Sequence, residues 1–260
     1  MDYRFLTMKR EGRILVITLH RPPTNPLGVE FGRELFEAAG EAERMEEATV
    51  VVVASGLEKV FIAGADIKEM AAMGPEASEA FSKLLQGVND ILSRMKKVVI
   101  AAINGHALGG GCELALACDY RFMAAGKGRI GLPEATLGIV PGAGGTQRLP
   151  RLVGLPRAMD MLLRGSTMGP EEALAIGLVD RVIDAGNFMD EVLQFAAMLA
   201  SGAGKAMGYI KAAVREGIDL PLEQALAVER AYGLENLKTR DAREGLAAFA
   251  EKRKPVFLCR

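Results

Sequence analysis

The chain has 260 residues, half of them apolar, with 32 Lys and Arg against 33 Asp and Glu. That is enough for one large domain, or a domain with an appendage. A net charge of −1 leaves no global field to draw in nucleic acid or an anionic membrane. The three cysteines (Cys112, Cys118, Cys259) form no CxxC pair and read as reduced thiols of a cytoplasmic protein. Two histidines without a ligand cluster give no reason to expect a metal site.

In chain order, Met1-Asp2-Tyr3-Arg4 runs directly into a strand-like pattern with no signal-peptide core. Ile14–Leu19 is a short strand, ended by Pro22-Pro23. From Gly28 to Glu47, Phe31, Leu35, Phe36 and Ala39 recur at helical spacing. The opposite face carries seven Glu against two Arg, −5 by formal count. Thr49–Val53 and Val98–Ile103 are buried-strand candidates, and Pro75–Met95 between them reads as a long helix. Tyr120–Met123 is another strand, 154–177 holds two short helices, and Val179–Ile183 is a last strand. From Phe188 the pattern is helical only, broken near Gly202 and at Pro221. This predicts an α/β core over 1–200 and a helical segment over 201–260. A strand–turn–helix unit recurs at a spacing of about fifty residues, each time with a Gly/Ala turn. No apolar run is long enough to span a membrane.

Chemistry concentrates in the turns. Phe61-Ile62-Ala63-Gly64-Ala65-Asp66 opens a helix-like segment, as does Gly109-Gly110-Gly111-Cys112-Glu113. A turn opening a helix leaves backbone N–H groups unpaired and aimed outward. Two such donors can hold a carbonyl oxygen as it gains negative charge. Glycines at a helix start each weaken it by about 1 kcal/mol relative to alanine, which points to a need for backbone access there. Glu113 lies among Leu114, Ala115, Leu116 and Ala117, and Glu134 is fixed at a turn or helix start by Pro133. Each could move protons, and each alone also fits a helix-start charge. Pro141-Gly142-Ala143-Gly144-Gly145-Thr146-Gln147-Arg148 is neither G-x-G-x-x-G nor a P-loop. There is no G-x-S-x-G elbow.

Phe61–Met70, Asn104–Glu113 and Pro141–Leu149, with Asp241–Gly245 and Phe249–Lys254 near the end, resemble the enoyl-CoA hydratase/isomerase (crotonase) superfamily. The resemblance covers most of the chain. It implies a spiral of repeated β-β-α units followed by a helical trimerisation region, and assembly as a homotrimer or homohexamer. It implies an acyl-CoA substrate whose thioester oxygen is held by the N–H groups of Ala65 and Gly110. Glu113 matches the base and Glu134 the acid of a hydratase, with the Gly142 N–H helping to place water. Single-base isomerases typically retain only the second glutamate, so the pair favours water addition to a trans-2-enoyl-CoA over isomerisation or another reaction of this superfamily. CoA, part of the substrate rather than a cofactor, would lie along Ala63, Asp66, Ile67 and Lys68. Lys252, from the same or a neighbouring subunit, would reach a phosphate; both lysines equally fit solvated charges. RNA binding, shown by some members, finds no Lys/Arg stripe here. Two departures stand out: Pro23-Thr24-Asn25-Pro26-Leu27 looks shorter than the usual CoA-lining stretch, and Leu132 replaces a common Gln.

Overall fold

The computed structural model describes residues 3–126 and 128–259. Met1, Asp2 and Arg260, the ends of the two predicted segments, lie outside the described residues. The main sheet has six strands: β1 (Leu6–Glu11), β2 (Ile14–Leu19), β3 (Val50–Ser55), β5 (Val98–Ile103), β7 (Tyr120–Ala124) and β10 (Arg181–Ile183), side by side in that order. β1 and β2 form an antiparallel hairpin; the other neighbours are parallel. A smaller sheet sets β4 (Val60–Ile62), β6 (His106–Leu108), β8 (Ile130–Gly131) and β9 (Thr167–Met168) in order. β3–β4, β5–β6 and β7–β8 are consecutive pairs that each add one strand to each sheet. The chain is therefore a spiral of β-β-α turns.

The two- and three-residue strands of the small sheet are the second strands that the β-β-α resemblance implies; the residue pattern alone gives one strand per repeat. Such runs are too short to show a period of two. The larger elements fall where the pattern places them. α1 spans Val29–Arg44, α3 spans Pro75–Arg94, and the short α2 (Ile67–Ala71) lies between β4 and α3. Asp66 caps α2, its side chain accepting from the Glu69 N–H.

The central strands are apolar throughout because both faces of the sheet are covered. Val51, Val53, Val99, Ala101 and Ile103 face a core shared with Leu35 of α1 and Val88 and Leu92 of α3. The alternate residues Val50, Val52, Ile100, Ala102 and Phe122 face α8 (Phe188–Ala200) through Phe188, Val192 and Ala196. α4 (Gly110–Ala117) follows β6 and buries seven of its eight residues, Glu113 included. Cys112 and Cys118 are core residues, as expected. A short 3-10 turn (Glu134–Leu137), α5 (Gly145–Val153), α6 (Leu155–Arg164) and α7 (Pro170–Ala175) complete the rim.

After α8 the chain turns and continues as α9 (Gly204–Gly217), α10 (Leu222–Leu237) and α11 (Arg240–Ala250). The break between the last two, at Lys238–Thr239, escaped the sequence reading; Thr239 marks it by capping α11 at the Ala242 N–H (3.1 Å). α9 lies on the core, with Lys211 Nζ donating to the carbonyls of Leu92 (3.1 Å) and Lys97 (2.9 Å). The tail folds back. Buried Asp241 accepts from the Leu258 and Cys259 N–H groups, both at 2.7 Å, and Arg13 donates to the Phe257 carbonyl at 2.6 Å. α10, in contrast, buries none of its residues.

Gly111 presses α4 onto β4. A Cβ there would overlap the Ile62 carbonyl and lie 2.7 Å from the Ile62 Cβ. Gly111→Ala should therefore cost about 1–3 kcal/mol, read as a lowered urea midpoint with little change in slope.

Candidate active site

β4 and β6 run parallel and adjacent, so the turns that follow them emerge at the same end of the small sheet. Leu27 bridges the first turn: its N–H donates to the Gly64 carbonyl (2.9 Å) and its carbonyl accepts from the Asp66 N–H (2.7 Å). In that parallel bridge the peptide groups flanking Ala65 are used by Leu27, so the Ala65 N–H points the opposite way. Gly110 is the first residue of α4, where helical N–H groups have no partner within the helix. Both residues line one cleft of about 460 Å³.

The two turns touch. A Cβ on Gly109 would lie 3.6 Å from the Gly64 Cα and 2.9 Å from Glu134 Oε1. Gly109 also has φ 53° and ψ −122°, a conformation open to glycine and closed to L side chains. Backbone and carboxylate can thus meet only where no side chain intervenes. On the next residue, a Cβ on Gly110 would stand 4.0 Å from Glu113 Oε2. The two acids therefore approach the same Gly109-Gly110 step, from α4 and from the 3-10 turn.

Their surroundings differ. Glu113 is 2 % exposed, and its Oε1 accepts from the Ala143 and Gly145 N–H groups, both at 2.8 Å. Burial raises its proton affinity, while those N–H groups and, more weakly, Arg148 pull the other way. Glu134 is 8 % exposed, and its Oε2 is buried with no hydrogen-bond partner. Burial first, then the Glu113 charge, push its pKa from 4.5 up to about 7. Burial prevails in both, so both hold protons more tightly than a free carboxyl; Glu113 does so against several N–H groups that favour its ionised form, and Glu134 keeps its proton to near neutrality. Such a pair can pass protons in opposite senses within one site.

The rest of the cleft is mainly apolar, with Met70, Phe81, Leu85 and Ile139 among its walls. Leu132, fully buried, shares Gly145 with Glu113: a Cβ on that glycine would meet Leu132 Cδ1 at 2.8 Å and Glu113 Cγ at 3.1 Å. An apolar side chain here adds to the dehydration of Glu113.

Ala63, Ile67 and Gly142 also line the cleft. Asp66 stands at its edge with its carboxylate already taken, by the Glu69 N–H (3.3 Å) and by Arg21 Nη2 (3.0 Å). Lys68 is exposed on α2. Lys252 is exposed beyond α11 and is not among the residues lining this cleft, so within one chain it does not join the others.

Two features went unseen in the sequence. The 23–27 segment is firmly built in: Asn25 is fully buried, with Nδ2 on Ser55 Oγ (2.9 Å) and on the Phe61 carbonyl (2.8 Å). An Asn between prolines was the available sign. The third glycine cluster, expected through Gly142 to place water, supplies the amides on Glu113, a partner the sequence did not suggest.

The enoyl-CoA hydratase/isomerase family model matches residues 9–259. A short-chain-enoyl-CoA hydratase of Clostridium acetobutylicum is 39% identical over 98% of this chain and 97% of its own length. A crotonyl-CoA hydratase of Syntrophomonas wolfei is 38% identical over 99% of both. Among solved structures, an enoyl-CoA hydratase from Geobacillus kaustophilus superposes with a TM-score of 0.98, at 39% identity, over all of this chain and 98% of that one.

The raised pKa of Glu134 carries a stability signature. In the unfolded chain this carboxyl ionises near 4.5, whereas in the fold it holds its proton to about 7. Its neutral form therefore favours the fold fully below pH 4.5, and that advantage is lost as the pH rises to about 7. Glu134→Gln has no such dependence. Its stability relative to the parent should climb between these limits, by on the order of 3 kcal/mol, and level off above. Thermal unfolding from pH 4 to pH 9 measures this; a constant difference would reject the assignment.

Proposed function

The chain belongs to the enoyl-CoA hydratase/isomerase family, and we propose that it adds water reversibly to a trans-2-enoyl-CoA, giving a 3-hydroxyacyl-CoA. The observation that carries this reading is the pair of dehydrated, unequal carboxyls flanking one glycine step in an apolar cleft.

The acyl thioester lies with its carbonyl oxygen between the Ala65 and Gly110 N–H groups. Glu113, ionised, takes a proton from water as the oxygen bonds to the β-carbon. The electron pair of the double bond moves toward the carbonyl, and the resulting enolate oxygen is stabilised by the two amides. Each donor contributes about 3 kcal/mol by analogy with other oxyanion holes. Glu134, protonated, then gives its proton to the α-carbon. The Gly142 N–H orients the water. Retention of both acids supports hydration over a double-bond shift, for which one base is sufficient.

The CoA portion runs past Ala63 and Ile67 at the cleft wall, where the start of α2 favours negative charge. Asp66 serves this region by capping α2 rather than through a free carboxylate, and exposed Lys68 pairs with phosphate. No resident cofactor or metal takes part in this scheme. Lys252 reaches CoA from a neighbouring subunit. Assembly as a homotrimer or homohexamer through residues 201–259 is supported by the apolar side chains left outside on these helices: Leu222 is 74 % exposed, Leu234 63 % and Phe249 87 %. No helix among the described residues is long and apolar enough to cross a membrane. The free thiols of Cys112, Cys118 and Cys259 fit a reducing cytoplasm.

With crotonyl-CoA, loss of the conjugated thioester absorbance follows the reaction. Glu113→Gln and Glu134→Gln should each lower kcat by roughly 10²- to 10⁴-fold. Unimpaired turnover in either would sink its role. In the parent, activity toward hydration should fall as the pH rises past about 7, because Glu134 then loses the proton it must donate. Product analysis with a 3-enoyl-CoA distinguishes isomerisation.

A further inference from the structure

The loop after Pro141 is gripped from its far side by α3. Ser82 Oγ (2.5 Å) and Gln86 Nε2 (2.7 Å) both donate to the Gly142 carbonyl. Asn89, 2 % exposed, donates through Nδ2 to the Ala143 carbonyl at 2.9 Å. These three residues stand four and three positions apart, on one stripe of the helix.

A trans peptide points its C=O and N–H in opposite directions. Tying the Gly142 oxygen to α3 therefore turns the Ala143 N–H the other way, onto Glu113 Oε1 at 2.8 Å. The next unit repeats this: its oxygen is on Asn89, and the Gly144 N–H faces Glu113. In the third unit the Gly144 oxygen accepts from the N–H groups of Gln147 (3.0 Å) and Arg148 (2.8 Å), while the Gly145 N–H reaches Glu113 Oε1 at 2.8 Å. Three consecutive peptides are anchored at their outer ends and converge on one carboxylate, an anion nest of main-chain donors.

We propose that Ser82, Gln86 and Asn89 are positioning residues that hold the Ala143, Gly144 and Gly145 N–H groups on Glu113, fixing its orientation and its readiness to ionise. This rests on the reading of Glu113 as the base. The groups facing Glu113 are Glu134 from the 3-10 turn, Arg148 from α5 and the Cys112 thiol beside it in α4. Arg148 is itself paired with Asp90 of α3 at 2.7 Å. All of these remain in the variants below, so a changed titration of Glu113 is traceable to the lost grip.

The test is the double variant Ser82→Ala/Gln86→Leu, which removes both donors from the Gly142 oxygen at a site open to water. With that peptide released, kcat should fall roughly 10- to 100-fold, as for other misplaced reacting groups. KM should move little. The acid limb of the kcat profile should shift to higher pH, because fewer N–H groups then favour the ionised form. Each single variant should move the same way and less, and these decide the matter if the double variant fails to fold. Ser82→Thr on the Gln86→Leu background keeps a hydroxyl and should match Gln86→Leu alone. A folded double variant with the parental kcat and acid limb overturns the proposal. If Glu113→Gln retains turnover, the assignment of the base fails instead, and the positioning role falls with it. The two failures are thus read from different proteins.

Discussion

The site depends on the parallel pairing of two three-residue strands, β4 and β6. Parallel strands finish at the same edge, and the segments that follow them open into one crevice. Ala65 and Gly110 belong to turns 45 residues apart in the chain, yet a Cβ on Gly109 would lie 3.6 Å from the Gly64 Cα. Gly109 is required by its positive φ and by Glu134 Oε1, which a Cβ would meet at 2.9 Å, and Gly111 by the Ile62 main chain. Their cost to helix α4 is offset by the burial of nearly all its remaining side chains.

Given that frame, the chemistry follows from unequal treatment of two like groups. Both acids are dehydrated, but Glu113 receives main-chain donors from another segment, whereas the main-chain donor on Glu134 is its own N–H. Glu134 receives none at Oε2 and feels the negative charge of its neighbour. An unpaired buried polar atom is ordinarily a defect. Here it goes with a proton held to near neutrality, while Leu132 fills with hydrocarbon a place beside Glu113. The departure at 132 therefore bears on proton affinity without altering the backbone.

How much of this was legible depended on which physical signal each part left behind. Long elements showed themselves because their burial pattern repeats over many residues: α1, α3 and the valine-rich strands fall within three residues of expectation. Glu113 and Glu134 stood out because a charge beside apolar neighbours, or fixed by a proline, is unusual. The small sheet left no trace in the residue pattern, since strands of two or three residues cannot display a period. Asn25, Ser82 and Asn89 were invisible for another reason. Their partners are carbonyls 36 to 60 positions away, and nothing in the local sequence announces a distant acceptor. The 141–145 cluster was visible, but matching it to known phosphate loops asked the wrong question: its amides face inward, to a carboxylate of the same chain.

The double coverage of the main sheet has one more result. Four valines in a row, Val50 to Val53, present equal hydrocarbon above and below. Sliding such a strand by one place would exchange its two sides at little loss of burial, so oil alone cannot choose the alignment. The choice falls to polar groups at the strand ends. The Thr49 N–H donates to Arg13 (2.9 Å), Ser55 Oγ joins Asn25 to the Val60 carbonyl, and Asp119 accepts from the Val99 N–H (2.9 Å). Each of these links would be broken by a one-residue slip. A handful of hydrophilic pins thus decides which way up every β-branched side chain sits, in a layer that is otherwise greasy on both sides.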